Sequence, residues 1–427
     1  MNETVEKFGS YVEKLVPDHP VAAGRVLAAT YRMVGMQASK FPSKKMTSSR
    51  EYLQGYTAKL MAHMLTDPSD SAVVNIFMPS EIFHALDIPI MAPEALACYI
   101  TCTAAEQPFL AKADEVGVAE TMCSYHRNLI GAAETGVLKK PLMVANTTLA
   151  CDANQLTFRH LASLWDIPHV VIDVPYDISE DAVIYVTDQL KGLARTAEEV
   201  SGKKMEADVL RECICRSNET FSNYRRALSR RKEAHFPEAM TPELLGGINN
   251  HLYLGTPEAV EFSRRLVRDV MSAPRHTTEK QVLWMHIMPN WQAPLMDIFQ
   301  GNDNHRVEIL DCDLAYSNIM KMDPDHPFES MARRLVYDSY NGPGSRRIEA
   351  TLRLAQKMHV DGVVVFAQWG CKQTQGISLL AKRVLEDHGF PTLVIDGDGC
   401  DRTKGGSEQI LTRANAFVEQ LQGGASL

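Results

Sequence analysis

The stretch from Asp361 to Asp401, DGVVVFAQWGCKQTQGISLLAKRVLEDHGFPTLVIDGDGCD, constrains the fold more than any other. Gly362 to Ala367 is an unbroken apolar run, as a strand buried on both faces requires. Ile377 to His388 is predicted as an amphipathic helix whose apolar residues are Leu379, Leu380, Val384 and Leu385. Gly389 ends that helix, Pro391 blocks its continuation, and Thr392 to Ile395 makes the next strand. The result is a βαβ unit with Cys371 just past its first strand. In open parallel sheets that rim is where ligands sit.

Similar segments recur along the chain. Residues up to about Thr66 read as helical, with Val21 to Met36 expected to be buried. Strands are expected at Ala72 to Met78, at Ile88 to Ile90, at Pro141 to Ala145 and at His169 to Val174. After the third of these, Cys151-Asp152 opens a helix that runs to about Trp165. From Ser179 to about Arg275 the pattern is helical and charge-rich, and its basic run, Tyr224 to Lys232, reads as a solvated helix face. Strands resume at Val282 to Ile287 and Arg306 to Leu310, and a helix from Ser407 to Gln420 closes the chain. The expected fold is α/β, with two Rossmann-like parallel-sheet domains and additional helices. The expected division is an N-terminal helical segment (1–66), a first α/β domain (67–178), a helical region (179–275) and a second α/β domain (276–427).

Length supports more than one core: 427 residues exceed what a single domain ordinarily holds. A net charge of −9 argues against a mainly electrostatic nucleic-acid binder. No apolar run approaches the roughly 20 residues that span a bilayer. The N-terminus has no signal-peptide core, and a cytoplasmic protein is expected. There the nine cysteines are expected to be reduced, and so to act as packed thiols, catalytic thiols or metal ligands.

Cys151 and Cys371 each follow a buried strand and precede a helix, and Cys123 sits in a third such turn if a helix starts near Ser124. Helix dipoles stabilise thiolates so placed. Three widely spaced cysteines plus an open position suit a site-differentiated iron–sulfur cluster. Packed thiols are the competing reading, since free cysteine is among the most buried residue types. Neither the ferredoxin run C-x2-C-x2-C nor paired C-x2-C zinc knuckles occur. Cys98 and Cys102, spaced i, i+4, read as core packing; Cys213 and Cys215 make a poor chelate; Cys312 is ambiguous; and Cys400 is rim-placed and stays open as a ligand. His286, His305 and His326 form no metal spacing and read as structural or exposed. No G-x-G-x-x-G or P-loop lysine motif occurs, so nothing supports dinucleotide or ATP binding.

At Met122-Cys123-Ser124-Tyr125-His126-Arg127, Thr148-Leu149-Ala150-Cys151-Asp152, Trp369-Gly370-Cys371-Lys372 and the tail motifs Ile395 to Asp398 and Thr412 to Phe417, the chain resembles the 2-hydroxyacyl-CoA dehydratase component family. That family also contains subunits of ATP-dependent benzoyl-CoA reductase. The resemblance covers roughly residues 70 to 425. It implies a 4Fe-4S cluster held by Cys123, Cys151 and Cys371, a second homologous subunit, and a separate ATP-hydrolysing iron–sulfur activator that delivers one electron. In such enzymes the electron reduces the thioester carbonyl of a 2-hydroxyacyl-CoA to a ketyl radical anion, which expels the 2-hydroxyl group. Arg127 and Lys372, beside proposed ligands, are candidates to meet the acyl-CoA; surface salt bridging is the alternative. Two other readings stay open: an ATP-dependent reductase of the same family, including the double-cubane type, and a non-catalytic partner subunit.

Overall fold

The computed structural model describes residues 3–41, 46–236, 240–275, 280–289, 293–299, 307–311, 320–404 and 407–423. Two four-stranded parallel sheets organise it. The first contains β1 (Ala72–Val74), β2 (Ile90–Met91), β3 (Met143–Thr147) and β4 (His169–Ile172), in the order β2-β1-β3-β4. The second contains β5 (Lys280–Met285), β6 (Val307–Asp311), β7 (Gly362–Gln368) and β8 (Thr392–Gly397), in the order β6-β5-β7-β8. The two orders are the same, so each half has its switch point at its two central strands. Chains leaving β1 and β3, or β5 and β7, there open a crevice at the strands' carboxyl ends. The α/β expectation holds in both halves.

The alternation of side chains along the second sheet shows how the halves meet. Val282, Trp284, Val364 and Phe366 face a core continuous with the first sheet and the N-terminal helices. Leu283, Met285, Val363 and Val365 face a separate core with Ile348, Leu354, Ala381 and Leu385 on the helices Ser345–Met358 and Ser378–Asp387. Strands covered on both faces need apolar residues at every position, and β7 is buried throughout. The expected helical region holds the helices Glu180–Ser201, Ala207–Arg231, Met240–Tyr253 and Pro257–Ser272. Among the described residues no helix is long and apolar enough to cross a membrane.

Four expectations change. β1 ends at Val74 because the Asn75 side chain takes over the pairing: its Oδ1 accepts from the Thr147 N–H and its Nδ2 donates to Thr147 Oγ1, both at 3.0 Å. Ile76 and Phe77 thereby leave the sheet. The segment Val21–Met36 is only half buried: Ala23, Leu27, Ala28 and Tyr31 face the core, while Val21, Met33 and Met36 are exposed. On the helix Ser378–Asp387 the packed face runs through Ala381 and Leu385, and Leu379 and Leu380 point outward. In the basic run, Arg231 is buried in an ion pair with Glu243 rather than solvated. Cys312, His305 and Arg306 lie outside the described residues.

Candidate functional site

Three turns bring the sulfur-bearing residues together, each at the start of a helix. Cys123 precedes the helix Ser124–Glu134 and its carbonyl accepts from the His126 and Arg127 N–H groups. Cys151 precedes Asp152–Trp165, after Ala150, whose φ of +63° turns the chain out of β3's path. Cys371 precedes the short helix Lys372–Gln375, after Gly370 at φ +78°. The left-handed turn at Gly370 lies directly on the Cys123 turn. A Cβ at Gly370 would come within 2.5 Å of the Cys123 nitrogen and 2.7 Å of its Cα. Glycine is required there by both conformation and space.

All three thiols line one cavity of about 310 Å³ that spans the two switch points. Ile76, Phe77, Glu94, Cys98 and His126 contribute from the first half, and His286, Tyr340, Arg347 and Gln373 from the second. Burial pushes the Cys123 thiol up, and the neighbouring Cys151 and Cys371 push it further. Three sulfurs that influence one another this way disfavour three bare thiolates together, and a cation among them reverses that cost. Cys151 is likewise raised by burial, then by Glu94 and Cys371. For Cys371 burial also opposes ionisation, but the His286 ring and the Thr374 backbone and side chain outweigh it and bring the thiol down to about 6.

Around the sulfurs stand three groups that local sequence signals did not pick out. Glu94, the second residue of the helix Pro93–Cys102, turns its carboxyl into the cavity. Burial pushes it up to about 7 against its own backbone hydrogen bond, with the nearby Cys371 adding to the rise. Its Oε2 is buried with no hydrogen-bond partner. His126 is held neutral by burial, its pKa lowered to about 3; Nδ1 meets Thr157 Oγ1 at 3.0 Å and Nε2 lies 3.6 Å from the Cys151 sulfur. His286, immediately after β5, adopts φ +80°, a conformation that costs energy for a non-glycine residue. Its position at a strand's carboxyl end was the available signal.

The remaining sequence candidates fall elsewhere. Arg127 is buried in an ion pair with Asp114, outside the cavity lining. Lys372 is exposed and pairs with Asp152 at 2.9 Å, joining the turns of Cys371 and Cys151 at the surface. The Lys372 pair lies at the surface, as the salt-bridging alternative describes, whereas the Arg127 pair is buried. Cys400 is fully buried behind the site, 3.3 Å from Thr101 Oγ1, and does not line the cavity. Cys98 does line it, so packing on its helix is not its whole environment.

Among the described residues, no three His, Cys, Asp or Glu side chains converge tightly enough to hold a single metal ion. The three thiols instead stand round a shared space, which suits a polynuclear cage with soft sulfur ligands. The residues present fit the group.

Similarity to known proteins extends over most of the chain. The chain is 24% identical over 374 residues to the (R)-phenyllactyl-CoA dehydratase alpha subunit of Clostridium sporogenes, covering 80% of this chain and 87% of that one. It is 24% identical over 392 residues to the lactoyl-CoA dehydratase subunit alpha of Anaerotignum propionicum, covering 81% and 89%. Against the (R)-2-hydroxyglutaryl-CoA dehydratase subunit alpha of Acidaminococcus fermentans the identity is 24% over 300 residues, covering 64% and 58%. A family profile matches residues 75–421, which include all three cysteine turns and both sheets. The chain belongs to the 2-hydroxyglutaryl-CoA dehydratase, D-component family.

Proposed function

We propose that this chain is the iron–sulfur subunit of a 2-hydroxyacyl-CoA dehydratase of the cytoplasm, with Cys123, Cys151 and Cys371 holding a 4Fe-4S cluster. The observation that carries the reading is that thiols on three strand-end turns, drawn from both halves, line one cavity at the paired switch points. When bound, the cluster would supply one-electron chemistry and a Lewis-acidic iron with an open position. The relatives' names, all dehydratase alpha subunits, support a second subunit as partner. A separate ATP-hydrolysing activator is proposed as the electron donor.

The overall reaction removes the 2-hydroxyl group and a C3 proton from the acyl-CoA as water, through a substrate-centred ketyl radical anion. The chain's own residues serve it in two ways. Ile76, Phe77, Leu244, Ile248 and Leu354 wall the cavity with apolar surface and keep water from a reduced substrate. Glu94 holds or moves a proton at Oε2: its carboxyl is raised towards neutrality by burial, as proton transfer near neutral pH requires.

The test is anaerobic purification with the second subunit, iron and sulfide analysis, and mass-spectrometric detection of enoyl-CoA formed from a 2-hydroxyacyl-CoA after one-electron reduction. Cys371→Ser is expected to lose iron and turnover together. A variant with full iron and full turnover would overturn the proposal.

A further inference from the structure

One wall of the cavity neither holds sulfur nor moves a proton. It is built on an aromatic pair drawn from the two halves. Asn75 turns Ile76 and Phe77 out of β1, and the Phe77 ring meets that of Tyr340 with centroids 5.1 Å apart and planes at 58°. Tyr340 lies in the connection between the helices Pro327–Val336 and Ser345–Met358. In that connection Asn341 Nδ2 donates to the Val336 carbonyl and to the Pro175 carbonyl of the first half, each at 2.9 Å. The Arg347 guanidinium covers Tyr340, 4.3 Å from its centroid, and donates to Gln373 and Thr374 just after Cys371. The pair is thereby fixed beside the cysteine turns. Both rings are half-buried, and both line the cavity.

Ile76, Leu244, Ile248 and Leu354 extend this apolar surface. The cations in the same lining are committed elsewhere. Arg334 grips the buried Glu81 carboxylate at 2.6 and 2.8 Å, and Arg333 bonds both oxygens of Glu180 at 2.6 Å. Arg347 turns its face to Tyr340 and Nη1 to Gln373 and Thr374, while its Nη2 lies 3.2 Å from His286 Nδ1. Lys321 is exposed to solvent. Asp338, also in the lining, carries the same sign of charge as a substrate carboxylate would. A carboxylate taken into this space would lose its water without gaining a partner. A hydrocarbon group would gain by burial there, and a short one would leave the rings uncovered.

The geometry points to a substrate whose acyl chain beyond C2 is a bulky, uncharged hydrocarbon seated against Phe77 and Tyr340, with these two residues setting the acyl specificity. The inference rests on the acyl-CoA reading and deepens it. Because the two rings are held from both halves, the surface is formed before the acyl group arrives, and little ordering offsets the gain from burying it.

Calorimetric binding to the full chain, purified anaerobically with its second subunit, tests this without turnover when the acyl-CoAs lack the 2-hydroxyl group. The three probes share coenzyme A, so differences report the acyl group alone. 4-Methylpentanoyl-CoA is expected to bind about 10²-fold more tightly than glutaryl-CoA and about tenfold more tightly than propanoyl-CoA. Phe77→Ala should remove most of the gain over propanoyl-CoA, and Phe77→Leu, which restores apolar volume, should keep it. Equal or tighter binding of glutaryl-CoA would overturn the inference, as would a Phe77→Ala protein that keeps the full preference for 4-methylpentanoyl-CoA. If all three probes bind alike, the specificity fails and the acyl-CoA reading stands. If none binds, that reading fails and takes the inference with it. Should circular dichroism show Phe77→Ala unfolded, the wild-type series alone decides.

Discussion

Gly370→Ala is the perturbation whose cost can be worked most directly from the structure. Two independent effects act at that position. The backbone is left-handed, at φ +78°, which costs a residue with a Cβ about 1–2 kcal/mol. The new methyl would also lie 2.5 Å from the Cys123 nitrogen and 2.7 Å from both the Cys123 Cα and the Met122 carbonyl carbon. Those atoms are backbone, so no rotamer change relieves the overlap; forced overpacking costs about 1–3 kcal/mol. The sum is about 2–5 kcal/mol, a large fraction of the roughly 5–15 kcal/mol that keeps a protein folded. Gly389→Ala is the matched control: φ is +85°, but nothing lies within 4 Å of the added methyl. It should show the conformational cost alone, about 1–2 kcal/mol. Urea midpoints of the metal-free variants give the comparison, and iron content of the anaerobic proteins gives the consequence at the site. Gly370→Ala is expected to have the lower midpoint and to lose iron, because the displaced atoms carry one proposed ligand and adjoin another. Equal midpoints with iron fully retained in both would refute the reading that the Cys123 and Cys371 turns are in direct contact.

Four further outcomes follow from the same geometry. Glu94→Gln should keep its iron and lose dehydration activity by about 10²–10⁴-fold, the usual worth of a positioned proton-transfer group, read by enoyl-CoA formation. Arg334→Met should cost about 3–5 kcal/mol, because it strands Glu81, which is fully buried and bound bidentately at 2.6 and 2.8 Å. In wild type, burial raises the Glu81 pKa but Arg334 outweighs it and the net shift is downward. Its contribution is therefore present above the ordinary glutamate range and fades as pH falls through the lowered folded value; in the variant burial is opposed only by the Ser217 hydroxyl and the Glu81 backbone hydrogen bond, so the deficit should grow as pH rises, measured by denaturation from pH 4 to 8. Leu385→Ala should cost about 2–5 kcal/mol by leaving a core cavity, whereas Leu379→Ala, at a position 75% exposed, should stay within about 0.5 kcal/mol. Lys372→Ala should leave both midpoint and iron content unchanged, since its ion pair with Asp152 stands in open solvent.

The parts of the fold that local pattern determines were legible in the sequence. The apolar run of β7, the Gly389 stop and the Pro391 block specify a βαβ unit through periodicity and backbone chemistry, and the structure forms it. The cysteine turns were legible for the same reason: a thiol after a buried strand and before a helix must lie on the carboxyl rim. What periodicity could not give was which polar residues meet there. Glu94 reads as an ordinary acidic residue in a helix's first turn, and Arg347 as one more cation on an Arg- and Glu-rich helix. Only tertiary packing places one in the cavity and buries the other against Tyr340. The helix of Leu379 and Leu380 misled for a related reason. Its apolar residues cover more than one face, and packing against the strands β7 and β8 selected Ala381 and Leu385. Asn75 likewise ended β1 early through a side-chain pairing with Thr147 that no local rule anticipates.

The central claim is that sulfurs from three separate turns hold one iron–sulfur cage. Iron-edge anomalous diffraction from crystals of the anaerobically purified protein tests it directly. The account predicts a single compact group of iron peaks within bonding distance of the Cys123, Cys151 and Cys371 sulfurs, with one iron bound by none of them. Iron peaks at other side chains, or a cluster held without one of these three, would contradict it.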